Sequence, residues 1–171
     1  MTKVINLFGA PGAGKSTMAA GLFNKLKLKG INCELATEYA KDLVWREMNE
    51  KAFEDQLYIT AKQHHRLHRL IGKVDVIVTD APLFLSLAYI PKNYFPSFKP
   101  FLLELFTSFD NYNFLLTRTK QYNPIGRNQN EEESNQIGIK LEDLLIINGI
   151  RYKTVIGDED APGHIITSLG L

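Results

Sequence analysis

The chain has 171 residues, 44% of them hydrophobic and 23% charged, which predicts a single globular domain over residues 1–171. A net charge of +1 excludes a chain-wide field that would attract nucleic acid or a membrane, although it leaves room for a local basic cleft. No apolar run approaches the length of a membrane span, and the single cysteine, Cys33, excludes an internal disulfide. A cytoplasmic protein without a membrane partner is expected.

The chain begins with a predicted buried strand over Thr2–Phe8 and an amphipathic helix over Lys15–Lys29. Lys15 would reach the β- and γ-phosphates of a bound nucleotide, and the Ser16 hydroxyl would bind Mg²⁺. Backbone N–H groups and the N-terminus of the helix would surround the phosphates. A nucleoside-triphosphate site is therefore predicted, with ATP as co-substrate. Its residues match the pattern G-x-x-x-x-G-K-[ST] at every position and are Gly9, Ala10, Pro11, Gly12, Ala13, Gly14, Lys15 and Ser16, followed by Thr17.

The later elements alternate between strands and helices, which predicts an α/β fold of three layers. The sheet is expected to be doubly wound, parallel and five-stranded, with the phosphate loop after strand 1. A loop is expected over Pro91–Pro100, and a mobile lid over residues 118–130. The further predicted strands are Ile31–Ala36, Val74–Thr79, Tyr112–Thr117 and Ile150–Ile156; the further helices begin near Leu43, cover Phe53–Ile71, Leu83–Ile90, Phe101–Phe109 and Glu131–Asn148, and begin again at Pro162.

Ligands of such sheets bind beyond the carboxyl ends of the strands, where Glu38 and Asp80 are expected. Glu38 is either a carboxylate that stabilises the start of a helix or the base that activates an acceptor hydroxyl group. Asp80 ends a buried strand, where its charge needs a partner, and Mg²⁺ or its water shell would supply one. The residues alone leave open which of the two carboxylates is the base.

Gln63 and Arg66 are three residues apart on a predicted helix and therefore share one face. They either belong to a solvated polar stripe or contact the acceptor. In the second case the Gln63 amide would pair with a nucleobase edge, and Arg66 would hold an acceptor phosphate. The neighbouring histidines, His64, His65 and His68, lack a carboxylate or cysteine beside them, which favours a solvated face over a metal site.

Three features favour a kinase among phosphate-loop proteins. The sequence has no N-K-x-D signature, which disfavours a GTPase, and it is short for a motor ATPase with an accessory subdomain. Asp80 is followed by Ala81 rather than by the second acidic residue that is usual for water activation. The polar segment after the fourth strand carries Arg118 and Arg127, which would neutralise charge on a transferring phosphoryl group while the lid excludes water.

The chain resembles the P-loop nucleoside and nucleotide kinases, above all the ribosylnicotinamide-kinase-like ATPase domains and small phage kinases. This resemblance implies that Arg118 and Arg127 belong to a lid that closes over ATP, and that Glu38 acts near the acceptor hydroxyl group. The matching pieces are Gly9–Thr17, Glu38-Tyr39-Ala40, Gln63 with Arg66, Thr79-Asp80-Ala81-Pro82 and Tyr122-Asn123-Pro124-Ile125-Gly126-Arg127.

We therefore expect an ATP-dependent phosphotransferase that acts on a hydroxyl group of a nucleoside or nucleotide. One alternative is a phage-type DNA kinase whose acceptor is a 5′-end or a 5-hydroxymethyluracil base, on single-stranded DNA or on a base flipped out of a duplex. The basic segment at residues 62–73 could face such a strand. A further alternative is a regulatory module that binds ATP without transfer, against which Glu38, Asp80 and the two arginines argue.

Overall fold

Five parallel strands form the centre of the computed structural model, which describes residues 1–171. The strands are β1 (Lys3–Phe8), β2 (Cys33–Ala36), β3 (Val76–Thr79), β4 (Asp110–Thr117) and β5 (Lys153–Ile156). Their order in the sheet is β2-β3-β1-β4-β5, so the strand that precedes the phosphate loop lies in the middle. In the pairing with β3, Lys3 is opposite Val76, and in the pairing with β4, it is opposite Asp110. The predicted five-stranded parallel sheet is confirmed.

Helices cover both faces of this sheet, which explains why β1 is apolar on both sides. Alternate residues of β1 point in opposite directions: Ile5 and Leu7 enter one core, and Val4 and Phe8 enter the other. The first core is closed by the first and last helices, and the second by those in between. The helices are α1 (Lys15–Leu28), α2 (Tyr39–Trp45), α3 (Glu50–Glu54), α4 (Gln56–His68), α5 (Ser86–Tyr89), α6 (Phe98–Thr107), α7 (Glu131–Ile147) and α8 (Ala161–Ser168).

The helix predicted over Phe53–Ile71 is wrong in its extent, because the helix is interrupted at Asp55, between α3 and α4. The Asp55 carboxylate accepts a hydrogen bond of 3.1 Å from the backbone N–H of Tyr58 and thereby caps the start of α4. At the other end, α4 stops at His68, and Gly72 follows in the left-handed region with a φ of 77°. Residues 50–54 thus form a separate short helix, α3.

The helices predicted over Phe101–Phe109 and Leu83–Ile90 also differ from the observed ones in their limits. The loop expected to run to Pro100 is shorter, because α6 already begins at Phe98. Pro100 is tolerated as the third residue of α6, because an N–H group in the first turn would have no partner within the helix. The helix expected over Leu83–Ile90 is a 3₁₀ turn at Leu83–Leu85 followed by the single turn of α5.

The segment over residues 118–130 forms neither helix nor strand, and α7 begins directly after it. A capping box marks this boundary: Asn130 Oδ1 accepts from the Glu133 N–H at 2.9 Å, and Glu133 Oε2 accepts from the Asn130 N–H at 2.8 Å. The mobility of the segment remains a prediction. None of the helices combines the length and the apolar character needed to cross a membrane.

Candidate active site

The phosphate loop depends on two glycines with left-handed backbone angles. Gly14 has a φ of 88° and directly precedes α1, whose first-turn N–H groups receive no side-chain cap. These free N–H groups are the ones that bind a phosphate at the start of a helix. Gly12 has a φ of 79°, and a Cβ atom there would lie 3.0 Å from the ring of Tyr122. A side chain at either position would therefore disturb the loop or the segment that packs on it.

Helix α7 holds the phosphate loop from outside. The hydroxyl group of Ser134, which is buried, donates a hydrogen bond of 2.6 Å to the carbonyl oxygen of Pro11. One turn later, Gly138 approaches so closely that a Cβ atom would lie 3.1 Å from the Cβ of Ala10. The sequence pattern of the loop does not predict the role of Ser134, because the hydrogen bond from Ser134 to Pro11 joins residues that are far apart in the chain.

Lys15 lies folded against its own loop. Its Nζ donates to the carbonyl oxygens of Gly9 at 2.9 Å and Ala10 at 3.1 Å. Burial lowers the pKa of Lys15, and the nearby carboxylates of Glu38 and Asp80 oppose this shift. The oxygens of a β- and γ-phosphate would replace the two carbonyls and compensate the buried cation more fully.

A cavity of about 420 Å³ opens beside the loop, within the range usual for small-molecule sites. It is bounded by the carboxyl ends of β1, β2 and β3, as expected for a parallel sheet. Of the residues predicted from the sequence, the cavity brings together Pro11, Gly12, Gly14, Lys15, Ser16, Glu38, Gln63, Asp80 and Arg127.

Glu38 lines this cavity at the start of α2, in extended backbone with φ −66° and ψ 123°. Its side chain makes no capping hydrogen bond to the N–H groups of α2. Burial raises the pKa of Glu38, and the ammonium group of Lys15 partly offsets this. The result is a carboxylate with a raised proton affinity that faces a phosphate-binding loop.

Asp80 follows β3 and is only 5% exposed. Its Oδ1 atom is buried without a hydrogen-bond partner, and burial raises the pKa of its carboxyl group. An orphaned carboxylate oxygen in the cavity that Ser16 also lines suits Mg²⁺, which prefers oxygen ligands. No three His, Cys, Asp or Glu side chains are grouped to hold a metal, so such an ion would take its other ligands from phosphates and water.

The two arginines expected in the lid both lie near the Tyr122 ring but line different cavities. Arg127 lines the cavity of Glu38, and its guanidinium carbon is 5.8 Å from the centre of the Tyr122 ring. Arg118 is 5.4 Å from the same ring but lines a second cavity of about 220 Å³. The structure thus places the two arginines at different cavities, and their closure over one phosphate stays a prediction.

Helix α7 accounts for the position of Arg118. One guanidinium nitrogen donates to Glu131 Oε1 at 3.0 Å and to Asn135 Oδ1 at 2.7 Å, while the other is buried without a partner. The second cavity also reaches Gly12, Gly14 and Thr17, so it adjoins the phosphate loop. Arg118 thus lines a different cavity from Glu38, and the two cavities share Gly12 and Gly14.

Gln63 and Arg66 both bond to the backbone or side chains of the segment after β2. The Gln63 amide bonds to Tyr39 and Thr37, although the side chain also lines the cavity. Arg66 lies outside the cavity lining, and its guanidinium group donates to Thr37 and to the Asp42 carboxylate. Arg66 could contact an acceptor only if its hydrogen bonds to Thr37 and Asp42 were broken.

Three charged residues of the cavity were not singled out from the sequence. Lys41 lies in the first turn of α2, three residues beyond Glu38, and its nearness to Glu38 in the sequence could have found it. Glu50 and Glu54 line the cavity from α3, which was not predicted as a separate helix. Their position depends on the break at Asp55 rather than on any local motif.

The fold is shared with known kinases. A deoxyadenosine kinase from M. mycoides, solved with dCMP and dCDP bound, matches with a TM-score of 0.61 at 16% identity, covering 98% of each chain. NadR protein in complex with NR matches with a TM-score of 0.76 at 19% identity, and its complex with NAD and AMP-PNP matches with 0.75 at 18%. The chain spans about half of NadR, 52% and 50% in the two structures.

These likenesses confirm the expected nucleoside-kinase type of fold. A comparison with functionally curated proteins finds no match. A family model described as an AAA domain matches residues 4–161, which include the phosphate loop, both candidate carboxylates and all five strands except Lys3, the first residue of β1. The chain therefore belongs to this AAA-domain family of P-loop proteins.

Proposed function

We propose that this protein is an ATP-dependent kinase that transfers the γ-phosphate of ATP to a hydroxyl group of a nucleoside-type acceptor. The observation that carries the proposal is the position of Glu38, whose carboxylate lines the same cavity as Lys15 and Ser16. A carboxylate with a raised pKa beside a phosphate-binding loop is suited to take a proton from an attacking hydroxyl group.

The donor nucleotide would extend across the phosphate loop from one cavity to the other. Both cavities reach Gly12 and Gly14, so the phosphates can bind at the start of α1 while the base enters the second cavity. Arg118 lines that second cavity, and a planar guanidinium group stacks well on an aromatic base. We therefore assign Arg118 to donor binding and Arg127 to the transferring phosphoryl group.

The charges of the first cavity favour an acceptor that carries no phosphate group. Its α3 end has two carboxylates, Glu50 and Glu54, which would repel an acceptor phosphate. Lys15 and Arg127 belong to the donor side, and Arg66, which could have bound such a phosphate, is paired with Asp42. The remaining cation of the cavity, Lys41, lies on α2, where its charge acts on Glu38 rather than at the α3 end. A neutral or cationic nucleoside fits these charges better than a nucleotide does.

In the proposed step, the acceptor hydroxyl oxygen forms a bond to the γ-phosphorus while the bond from that phosphorus to the departing ADP oxygen breaks. The hydroxyl proton passes to Glu38. Lys15 and the first-turn N–H groups of α1 stabilise the negative charge that grows on the ADP oxygen. Ser16 and Asp80 would hold Mg²⁺, which supplies charge neutralisation between the β- and γ-phosphates.

The lid segment would complete the site and exclude water. Tyr122 packs on Gly12, and a turn over Pro124–Arg127, closed by a bond of 3.1 Å from the Arg127 N–H to the Pro124 carbonyl, presents the arginine to the cavity. Exclusion of water matters because an open phosphate site would hydrolyse ATP without an acceptor.

A transfer screen with γ-labelled ATP tests the proposal. Nucleosides, nucleoside monophosphates, oligonucleotides and hydroxymethylated DNA are offered in parallel, with Lys15→Ala protein as the control. Label is expected on nucleosides and not on the matching monophosphates. Label on DNA alone would favour the nucleic-acid kinase, label on monophosphates would contradict the charge argument, and ATP binding without any transfer would favour the regulatory module.

A further inference from the structure

Glu38 is held in the cavity by its backbone rather than by its side chain. Its carboxylate does not cap α2, and its backbone is extended between the end of β2 and the first turn of that helix. The position of such a base depends on the backbone of the residues on each side of it, Thr37 and Tyr39. What holds those two residues therefore decides where the carboxylate points.

Gln63 bonds to both of these neighbours. Its Oε1 accepts a hydrogen bond of 2.9 Å from the backbone N–H of Tyr39, and its Nε2 donates one of 3.2 Å to the carbonyl oxygen of Thr37. The orientation of the amide is unambiguous, because a backbone N–H only donates and a carbonyl only accepts. Gln63 is 4% exposed, so water does not replace these bonds easily.

Arg66 adds a second connection one turn further along α4. Its guanidinium group donates to the Thr37 carbonyl oxygen and hydroxyl group, both at 3.0 Å, and to the carboxylate of Asp42. It also lies 5.4 Å from the centre of the Tyr39 ring. Residues on both sides of Glu38 are thus tied to one face of α4, although 24 to 29 residues separate them in sequence.

We propose that Gln63 and Arg66 are positioning residues that hold the Thr37–Tyr39 backbone and thereby aim the Glu38 carboxylate at the acceptor hydroxyl group. This role rests on the proposed function. It differs from the contact with a nucleobase edge expected from the sequence, because the Gln63 amide already uses its oxygen and one N–H within the protein. Small displacements of a reacting group cost up to about 100-fold in rate, so loss of either residue should act mainly on turnover.

A double-mutant cycle separates positioning from substrate contact. Gln63→Leu in the wild-type background should lower kcat about 10- to 100-fold with little change in the KM for ATP. In the Glu38→Gln background, where no base remains to be aimed, the same change should alter kcat by less than about twofold. A Gln63 that contacts the acceptor would instead raise the KM for the acceptor by the same factor in both backgrounds, which would overturn the proposal.

Gln56→Leu is the matched control. Gln56 is also a buried glutamine of α4 that lines the cavity, but its amide donates to the Phe53 carbonyl at 2.8 Å and not to a neighbour of Glu38. Its effect on kcat, whatever its size, should be the same with and without Glu38→Gln. If Gln56→Leu shows the same dependence on Glu38 as Gln63→Leu, then general loosening of α4 explains both and the proposal fails.

Gln63→Glu and Arg66→Lys cover the case in which Gln63→Leu does not fold. Gln63→Glu keeps an acceptor for the Tyr39 N–H and loses the donor to Thr37, so an intermediate kcat and faster hydrogen exchange at the Tyr39 N–H are expected. Arg66→Lys should lower kcat less than Arg66→Ala. Wild-type kcat in both folded conservative variants, together with unchanged exchange at Tyr39, would contradict the proposal. A wild-type protein that phosphorylates no acceptor would instead remove the proposed function, and this role with it.

Discussion

The donor side and the acceptor side of the candidate active site are built in different ways. The donor side is centred on one continuous segment, Gly9–Thr17, whose backbone N–H groups and lysine would bind the phosphates. The acceptor side takes side chains from separate elements, among them Glu38 before α2 and Glu54 on α3. A local motif thus defines the proposed phosphate site, whereas the choice of acceptor depends on how α2, α3 and α4 pack together.

The largest effect is expected on the donor side, from Lys15→Ala. This change should abolish phosphoryl transfer, because no other cation lies within the phosphate loop, while the fold is retained. Transfer assays and circular dichroism measure the two properties. Lys25→Ala, an exposed lysine in the last turn of the same helix, is the matched control. Full transfer by folded Lys15→Ala protein would remove the kinase proposal.

The two arginines should act on different parts of the donor nucleotide. Arg127→Ala should lower kcat on the order of a thousandfold, with a much smaller effect on the KM for the acceptor, because its charge acts on the transferring group. Arg118→Ala should mainly raise the KM for ATP, because Arg118 lines the second cavity. Steady-state kinetics with both substrates varied measures each effect. The division is wrong if Arg118→Ala lowers kcat as strongly as Arg127→Ala and leaves the KM for ATP unchanged.

Glu38→Gln should lower kcat by about 100-fold or more with little effect on the KM for ATP, because a base acts on the acceptor. Asp80→Asn should in addition raise the concentration of Mg²⁺ needed for half-maximal rate, since it removes a metal ligand. Titration of Mg²⁺ at fixed ATP distinguishes the two variants. If Glu38→Gln keeps the wild-type kcat, Asp80 becomes the better candidate for the base.

Asp80→Asn should stabilise the ligand-free protein at neutral and higher pH. Burial raises the folded-state pKa of Asp80 above its unfolded value, so the wild type loses stability as pH rises through the raised pKa. Asparagine does not titrate, and removal of a buried carboxylate whose Oδ1 atom lacks a hydrogen-bond partner is worth about 1–3 kcal/mol, or several degrees in Tm.

Thermal unfolding at pH 4 and pH 8, without Mg²⁺ or nucleotide, measures this difference. The gain in Tm should be large at pH 8 and shrink toward pH 4, because the wild-type carboxyl group takes up its proton as the pH falls through its raised pKa. A lower Tm for Asp80→Asn than for the wild type at pH 8 would show that the carboxylate is compensated in the free protein.

The smallest effect concerns the lid over residues 118–130. These residues should exchange backbone hydrogens faster in the free protein than in a complex with an ATP analogue. Trp45, the chain's one tryptophan, is 64% exposed and lies against Gly126, where an added Cβ would be 3.0 Å from the indole ring. Its fluorescence should therefore change when nucleotide binds. Equal exchange in both states would mean that the segment is a fixed wall.

The contrast between the two sides also explains what the sequence could predict. The phosphate loop, the parallel sheet and the position of Asp80 follow from local patterns, namely a glycine-rich motif and apolar runs that end in polar residues. The separation of α3 from α4 was missed because the apolar spacing continues across Asp55, although aspartate is a common N-terminal cap.

The partners of Gln63, Arg66 and Arg118 lie beyond such patterns. Gln63 bonds to residues 24 and 26 positions away, so its role depends on the packing of α4 against α2. Arg118 faces the second cavity because Glu131 and Asn135 of α7 bind its guanidinium group. The sequence shows that these polar side chains exist, but only the fold determines which surface each one faces.

The fate of the γ-phosphate tests the central claim most directly, because a P-loop protein of an AAA-domain family could equally transfer it to water. γ-Labelled ATP is incubated with the protein and Mg²⁺, with and without a nucleoside, and the labelled products are separated. Our account predicts ADP formation that depends on the nucleoside, with the label recovered in a nucleoside monophosphate, and loss of that product in Glu38→Gln. Nucleoside-independent release of inorganic phosphate as the sole labelled product would contradict it.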